Sequence, residues 1–407
     1  MWTFDQNFSR IPGNCKWDVG EGILPLSVAD MDFRSPPCVV EALRERIETG
    51  LFGYQVMTER DYEAIIQWRS QRHGERLTRE HLLATPGVLN TMRAAIYTLT
   101  SPGDPVVVQT PLHTPSITSA SMRGRCCLDV PMLEDGEGRY SMDYRGLEAA
   151  FRAGARVMAL CTPSNPTGRV WNREELEKLG YLLQKYDAYV ICDEIHSDIL
   201  YPGSSFCAMG SLPGIGQRVV STFSPSKSFN FGGFHIATAV VADDALRQKI
   251  SDVLYESGAC CGRPGALAIT AQTAAYERGG PWLDGLIEYL AGNVEMVLAE
   301  LKGTPLKALR PEASILMWVD CRAMGWDTAE YNRRMENAGI LPDPGHYYFM
   351  DNHRIGDYRG MQSHFRMNIA MPRPQLAEAL RRLKTCCQDI SSKIELHSAN
   401  IADIMDA

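Results

Sequence analysis

Between about Leu77 and Ala242 the chain repeats one pattern, a short apolar run followed by an amphipathic stretch. The runs are PVVVQTP from Pro105, RVMALCTP from Arg156, AYVICDE from Ala188, RVVSTFSPSK from Arg218 and HIATAVVAD from His235. They are rich in Val and Ile and apolar at successive positions, which predicts strands buried on both faces of a mostly parallel sheet. One intervening helix is well signalled. In NREELEKLGYLLQKYD, Asn172 takes an N-cap position and Glu175 follows three residues later, a capping box. Leu176, Leu179, Leu182 and Leu183 then form a stripe that packs on the sheet. The fold class is therefore α/β.

The chain has 407 residues, 45% of them hydrophobic, enough for a large core and more than one domain. From about Pro281 its character changes to a long helical pattern, a strand (ASILMWVD), a loop rich in Gly, His and Tyr, and a final helix after Arg373. This suggests an N-terminal arm over 1–45 grouped with a C-terminal small domain over 286–407, and a large domain over 46–285.

A net charge of −8 with 22% charged residues supplies no electrostatic reason to bind nucleic acid or an anionic membrane. The N-terminus lacks the apolar core of a signal peptide. No stretch approaches the roughly 20 apolar residues of a membrane span. Several of the twelve cysteines sit in apolar runs, and the adjacent pairs Cys126-Cys127, Cys260-Cys261 and Cys386-Cys387 lack CxxC spacing. A reducing cytoplasm, without disulfides or a bound metal, is the simpler expectation.

In sheets of this kind ligands sit beyond the carboxyl ends of the strands. Three polar groups follow the apolar runs there: Asn165 in SNPTG, Asp193 in CDEIH and Lys227 in SPSKSFN. A fourth, Arg366 in HFRMNIA, precedes the last helix. Singly, each has a plainer reading as a turn, a strand end, a surface lysine or a loop charge. Their order and rough spacing together resemble the fold type I pyridoxal-phosphate enzymes, the large aminotransferase superfamily. That resemblance implies a large domain on a mostly parallel seven-stranded sheet with a smaller α/β domain, and pyridoxal 5'-phosphate as cofactor.

The implied roles are chemically coherent. Lys227 is the amine that joins the cofactor aldehyde. Asp193 keeps the ring nitrogen protonated, so that the ring can act as an electron sink. Asn165 and His196 lie near the ring hydroxyl oxygen, and Arg366, with Asn165, takes the substrate carboxylate. The amides of Val88 and Leu89, at a helix start in TPGVLNTMRAAIY, suit the phosphate, with Ser224 and Ser226 as hydroxyl donors.

The segments KWD (Lys16 to Asp18), LPLSVADMDF (Leu24 to Phe33), GLFGYQ (Gly50 to Gln55), NPTGRVW, CDEIHSDILY, SPSKSFN and FRMNIAMPR narrow the resemblance. They are similar to the cystathionine β-lyase (C–S lyase) branch typified by the bacterial MalY and PatB proteins, over about Phe4 to Leu383. This implies a homodimer in which Tyr54 reaches the partner's cofactor phosphate. The implied reaction is α,β-elimination from an L-cysteine S-conjugate to a thiol, pyruvate and ammonia, with Lys227 taking the Cα proton.

The chain departs from the branch at two points. His113, in TPLHTP, stands where an aromatic residue commonly stacks on the cofactor ring, and an imidazole can also move a proton. Ser27 stands where Trp is usual, which widens the pocket for a bulkier conjugate. Gly232, Gly233 and the loop GHYYFMDNHR also lie on the expected substrate side and point to an unusual substrate, in specialised metabolism. Three other outcomes stay open: transamination, an oxygen-dependent decarboxylation and deamination to an aldehyde, and a non-catalytic ligand sensor. The last lacks the basic DNA-binding segment such regulators carry.

Overall fold

The apolar runs become the middle of one sheet. The computed structural model describes residues 2–6, 11, 13–257, 262–350 and 363–387. Seven strands, β1 (Leu82–Thr85), β2 (Pro105–Val108), β3 (Cys126–Asp129), β4 (Val157–Cys161), β5 (Tyr189–Asp193), β6 (Val219–Phe223) and β7 (Ala237–Val241), lie in the order β1-β7-β6-β5-β4-β2-β3. β7 runs antiparallel to both its neighbours, and the other pairings are parallel. The sheet is the mostly parallel seven-stranded sheet that the resemblance implies.

Burial on both faces explains the unbroken apolar runs. Val157, Ala159 and Cys161 join one core cluster, and Met158 and Leu160, between them, join another. Helices α1 (Pro37–Glu48) and α2 (Glu59–His73) precede the sheet. On one face α3 (Val88–Leu99) buries Met92 and Ile96, and α4 (Thr114–Ser121) packs beside it. On the other, α5 (Tyr144–Arg152) and α6 (Arg173–Lys185) bury Leu147, Phe151, Leu176, Leu179 and Leu183. The capping box of α6 forms as expected: Glu175 N donates to Asn172 Oδ1 and Asn172 N to Glu175 Oε2, each at 2.9 Å. α7 (Asp244–Glu256) returns to the α3 face.

After α8 (Ala266–Arg278) comes α9 (Gly280–Leu301), a continuous helix. The domain limits expected at 45/46 and 285/286 fall inside α1 and α9. A second sheet follows, with β8 (Lys307–Ala308), β9 (Leu316–Asp320), β10 (Asp343–Pro344) and β11 (His364–Asn368) in the antiparallel order β8-β9-β11-β10. α10 (Thr328–Ala338) lies between β9 and β10. A last helix is described over 373–387. Leu24 and Pro25 of the arm pair in parallel with Ile340 and Leu341, which ties the arm to this second unit.

The ten described cysteines are all free. Cys260 and Cys261 lie outside the described residues, as do residues 351–354 of the loop GHYYFMDNHR. Among the described residues no helix is long and apolar enough to cross a membrane.

Candidate active site

The strands deliver their polar residues to one edge of the sheet. Asp193 ends β5, between Cys161 of β4 and Thr222 of β6. Lys227 follows β6 by four residues, and Asn165 follows β4 by the same interval. The turn after β5 is locked from behind: Glu194 accepts from Arg69 at 2.7 Å and from Ser221 at 2.7 Å, and Asp198 accepts from Trp68 at 3.0 Å. These bonds hold CDEIHSD against α2.

Lys227 Nζ donates to the Ala29 carbonyl at 2.8 Å and lies 3.2 Å from Asp30 Oδ1. Asp30 carried no assigned role in the sequence, although ADMDF was conspicuous. The segment around it has no long strand of its own, so side chains satisfy its backbone groups. Asn368 donates to the Val28 and Asp30 carbonyls at 2.6 and 2.7 Å. Asn230, at φ +56°, where Asn is tolerated, clamps both the N–H and the carbonyl of Met31. Lys16 and Trp17 of KWD both bond Asp32, at 2.9 and 2.8 Å. KWD, ADMDF and SPSKSFN thus form one interlocked structure. A cleft of about 1060 Å³, lined in part by Trp17, Asp30, Met31, Phe231 and Gly232, reaches the two neighbours of the lysine, Asp30 and Gly232, while Lys227, Asp193, Asn165 and Arg366 are not among its lining residues. A Cβ on Gly232 would lie 3.2 Å from Asp30 Oδ1 and 3.8 Å from Lys227 Nζ, so the glycine keeps the approach open.

Arg366 is buried on the second sheet, opposite Trp318. It bonds Asn165 Oδ1 at 3.0 Å, the Ser27 carbonyl at 2.7 Å and the Asp343 carboxylate, and it stacks 5.0 Å from the Tyr348 ring centroid. Asp343 and Tyr348 escaped sequence reading because only the fold sets β10 beside β11. His113 precedes α4, and its neighbours are tied to the loop after β10: Leu112 N donates to the Tyr348 carbonyl at 2.9 Å and Thr114 Oγ1 to that of Tyr347.

The two site histidines are neutral. Burial first, then the charges of Arg366 and Lys227, pull His113 down to about 3. Burial and Lys227 first among the charges pull His196 to about 3 as well. His196 Nδ1 is paired with Ser314 Oγ at 3.1 Å. The sign of the pH effect follows. Below about 6.5 the unfolded chain takes up protons that these folded imidazoles refuse, so stability falls as pH falls toward 3. His113→Phe should remove one such proton. Its unfolding free energy, measured by urea titration, should fall less steeply around pH 5, by about 1.4 kcal/mol per pH unit. Parallel slopes in the two proteins would refute this.

The arrangement fits a pyridoxal phosphate. Asp193 is a buried carboxylate whose one side-chain bond comes from the Ile195 N–H at 3.1 Å, and burial raises it to about 6. A cationic ring N–H is the partner such a group lacks. At the start of α3, Gly87 has φ +123°, open space where a Cβ would sit and no side-chain cap. The Val88 and Leu89 amides are therefore left for an anion. Ser224 Oγ lies 2.6 Å from the Ile236 carbonyl and 2.9 Å from Ser226 Oγ, so Ser224 is engaged and the Ser226 hydroxyl is the freer of the two. Lys227, Asp193, Asn165, His196, His113 and Arg366 come together at this site. Tyr54 does not: it is fully exposed on the stretch between α1 and α2.

Comparison with known proteins agrees with this geometry. Residues 21–383 match the profile of the family described as Aminotransferase class I and II. Cystathionine beta-lyase PatB of Bacillus subtilis is 36% identical over 394 residues, covering 94% of this chain and 99% of PatB. Cystalysin of Treponema denticola, whose crystal structure contains a pyridoxal 5'-phosphate cofactor, superposes with a TM-score of 0.89 at 27% identity, covering 96% of this chain and 100% of cystalysin. The PLP-bound C-S lyase of Staphylococcus hominis gives 0.85 at 25% identity over 95% and 98% of the two chains.

Proposed function

The chain belongs to the aminotransferase class I and II family, and we propose that it is the lyase of an L-cysteine S-conjugate, releasing a thiol, pyruvate and ammonia. It is a pyridoxal-phosphate-dependent carbon–sulfur lyase of the cystathionine β-lyase type. The observation that carries the finer reading is the convergence of the Lys227 amine, buried Asp193 and the Arg366–Asn165 pair.

When bound, the cofactor supplies an aldehyde for the substrate amine and a ring that receives the electrons of the broken Cα–H bond. Arg366 holds the α-carboxylate and so turns the Cα–H bond toward Lys227. The free Lys227 amine takes that proton. The Cβ–S bond then breaks, and the sulfur leaves as thiolate. Asp193 would keep a proton on the ring nitrogen, and Asn165 and His196 would bind the ring hydroxyl. The Val88 and Leu89 amides and the Ser226 hydroxyl would hold the phosphate. Burial keeps His113 neutral in the same site.

The reading includes a homodimer. Ile47, Leu51, Phe52, Tyr54 and Val56 form an exposed apolar run that a second copy would cover, with Tyr54 entering its site. The free cysteines suit the cytoplasm.

His113 favours one second reading. A neutral imidazole that feels the charges of Arg366 and Lys227, where the family commonly has an aromatic residue, supports an oxygen-dependent loss of carbon dioxide that yields an aldehyde as the alternative. Mass spectrometry of products from a panel of cysteine S-conjugates, in air and without oxygen, separates the two. Pyruvate and thiol in both atmospheres are expected. An aldehyde formed only in air would replace elimination.

A further inference from the structure

The Arg366 guanidinium has five N–H donors. Both hydrogens of Nη2 have acceptors, the Ser27 carbonyl at 2.7 Å and the Asp343 carboxylate. Nη1 donates to Asn165 Oδ1 at 3.0 Å, and Nε is buried without a partner among the described residues. A guanidinium grips a carboxylate with two bonds either end-on, through Nη1 and Nη2, or side-on, through Nε and Nη2. Each mode needs a hydrogen of Nη2. An incoming carboxylate therefore gains a two-bond grip only if Ser27 or Asp343 lets go.

The two acceptors are not equally able to move. The Ser27 carbonyl belongs to a backbone segment that Asn368 holds at Val28 and Asp30. Asp343 is a side chain, 23% exposed, with a second donor to stay on: the Tyr348 hydroxyl at 2.8 Å. We propose that Asp343 is the resident counter-ion of Arg366, and that the substrate's α-carboxylate binds by displacing it. The proposal rests on the reading of Arg366 as the carboxylate holder.

The exchange has two consequences. A buried arginine without an anion is costly, and Asp343 removes that cost while the site waits. The same contact lowers affinity, because only the fraction of molecules with Asp343 turned away is competent to bind. It also sharpens selection. A free carboxylate carries the charge needed to replace Asp343, whereas an amide or ester does not, so cysteine conjugates with a blocked carboxyl group are rejected more strongly than by a bare arginine. Asp343 is thus a positioning residue that sets substrate class.

The test is isothermal titration of the holoenzyme with 3-(methylthio)propionate, which has the carboxylate and thioether but no amine to react. Asp343→Asn should lower its Kd about tenfold, with the KM of the sulfur substrate moving the same way. Asp343→Glu, which keeps the charge, should bind like the wild type, and Asp343→Ser should repeat the gain independently. No gain in either neutral variant, or weaker binding, overturns the proposal whether or not the wild-type protein binds measurably. The underlying reading fails separately: Arg366→Ala with undiminished analogue binding would show that another group holds the carboxylate.

Discussion

Lys227→Ala protein is expected to lose turnover on the order of ten-thousandfold or more, because both the amine that joins the cofactor and the base that takes the Cα proton go with it. Its absorbance should change too. The visible band that the cofactor acquires when joined to a lysine should vanish, while non-covalent cofactor stays bound through the Val88 and Leu89 amides. Fold stability should change little, since among the described residues Nζ bonds the Ala29 carbonyl and Asp30 Oδ1 and the side chain is partly exposed. A retained band, measured on protein purified with excess cofactor, would refute the assignment.

Asp193→Asn should move activity and stability in opposite directions. Turnover should fall by about a hundredfold or more, because the amide cannot hold the ring proton. The cofactor-free protein should become more stable. Burial raises Asp193 to about 6 in the folded chain, against roughly 4 when unfolded. The folded carboxyl thus keeps its proton longer. The penalty is absent below about pH 4, grows as pH rises to 6, and is complete above it. At pH 8 it is roughly 3 kcal/mol. The Asn variant escapes it, so denaturant unfolding of the cofactor-free proteins should show the variant ahead at pH 8 and the gap closing toward pH 4. With cofactor present the ring N–H offsets the carboxylate charge, and the order should reverse. A variant with near-normal turnover would remove Asp193 from the mechanism.

One prediction concerns a residue that ends a strand and the other a residue in the turn after one, and such positions were legible in advance. Asp193 and Lys227 follow runs so apolar that only a buried strand accommodates them, and a polar residue closing such a run stands at the rim of the sheet. Ser224 was legible as a neighbour of the lysine, yet its hydroxyl is turned to the Ile236 carbonyl, just before β7. That contact arises from an antiparallel pairing that the runs do not announce. The same limit applied to ADMDF. Its conspicuous spelling marked it, but the bond from Lys227 to Asp30 joins residues about 200 positions apart.

What the sequence by itself determined is therefore local and periodic: the five middle strands of the large sheet, the capped helix after Trp171, and the identity of the polar groups that follow those strands. Hydrophobic period and capping act over a few residues and leave their mark in the order of letters. Only the tertiary structure decided that Asp343 and Tyr348 meet Arg366, that Asn368 and Asn230 bolt the arm beside Lys227, and that His113 lies near both cations. These contacts join distant segments, and their energy depends on register between β10 and β11 and on how the arm closes over the site. A hydrogen bond between remote side chains imposes no period on either segment, so nothing in the chain's spelling reports it before the fold brings the two together.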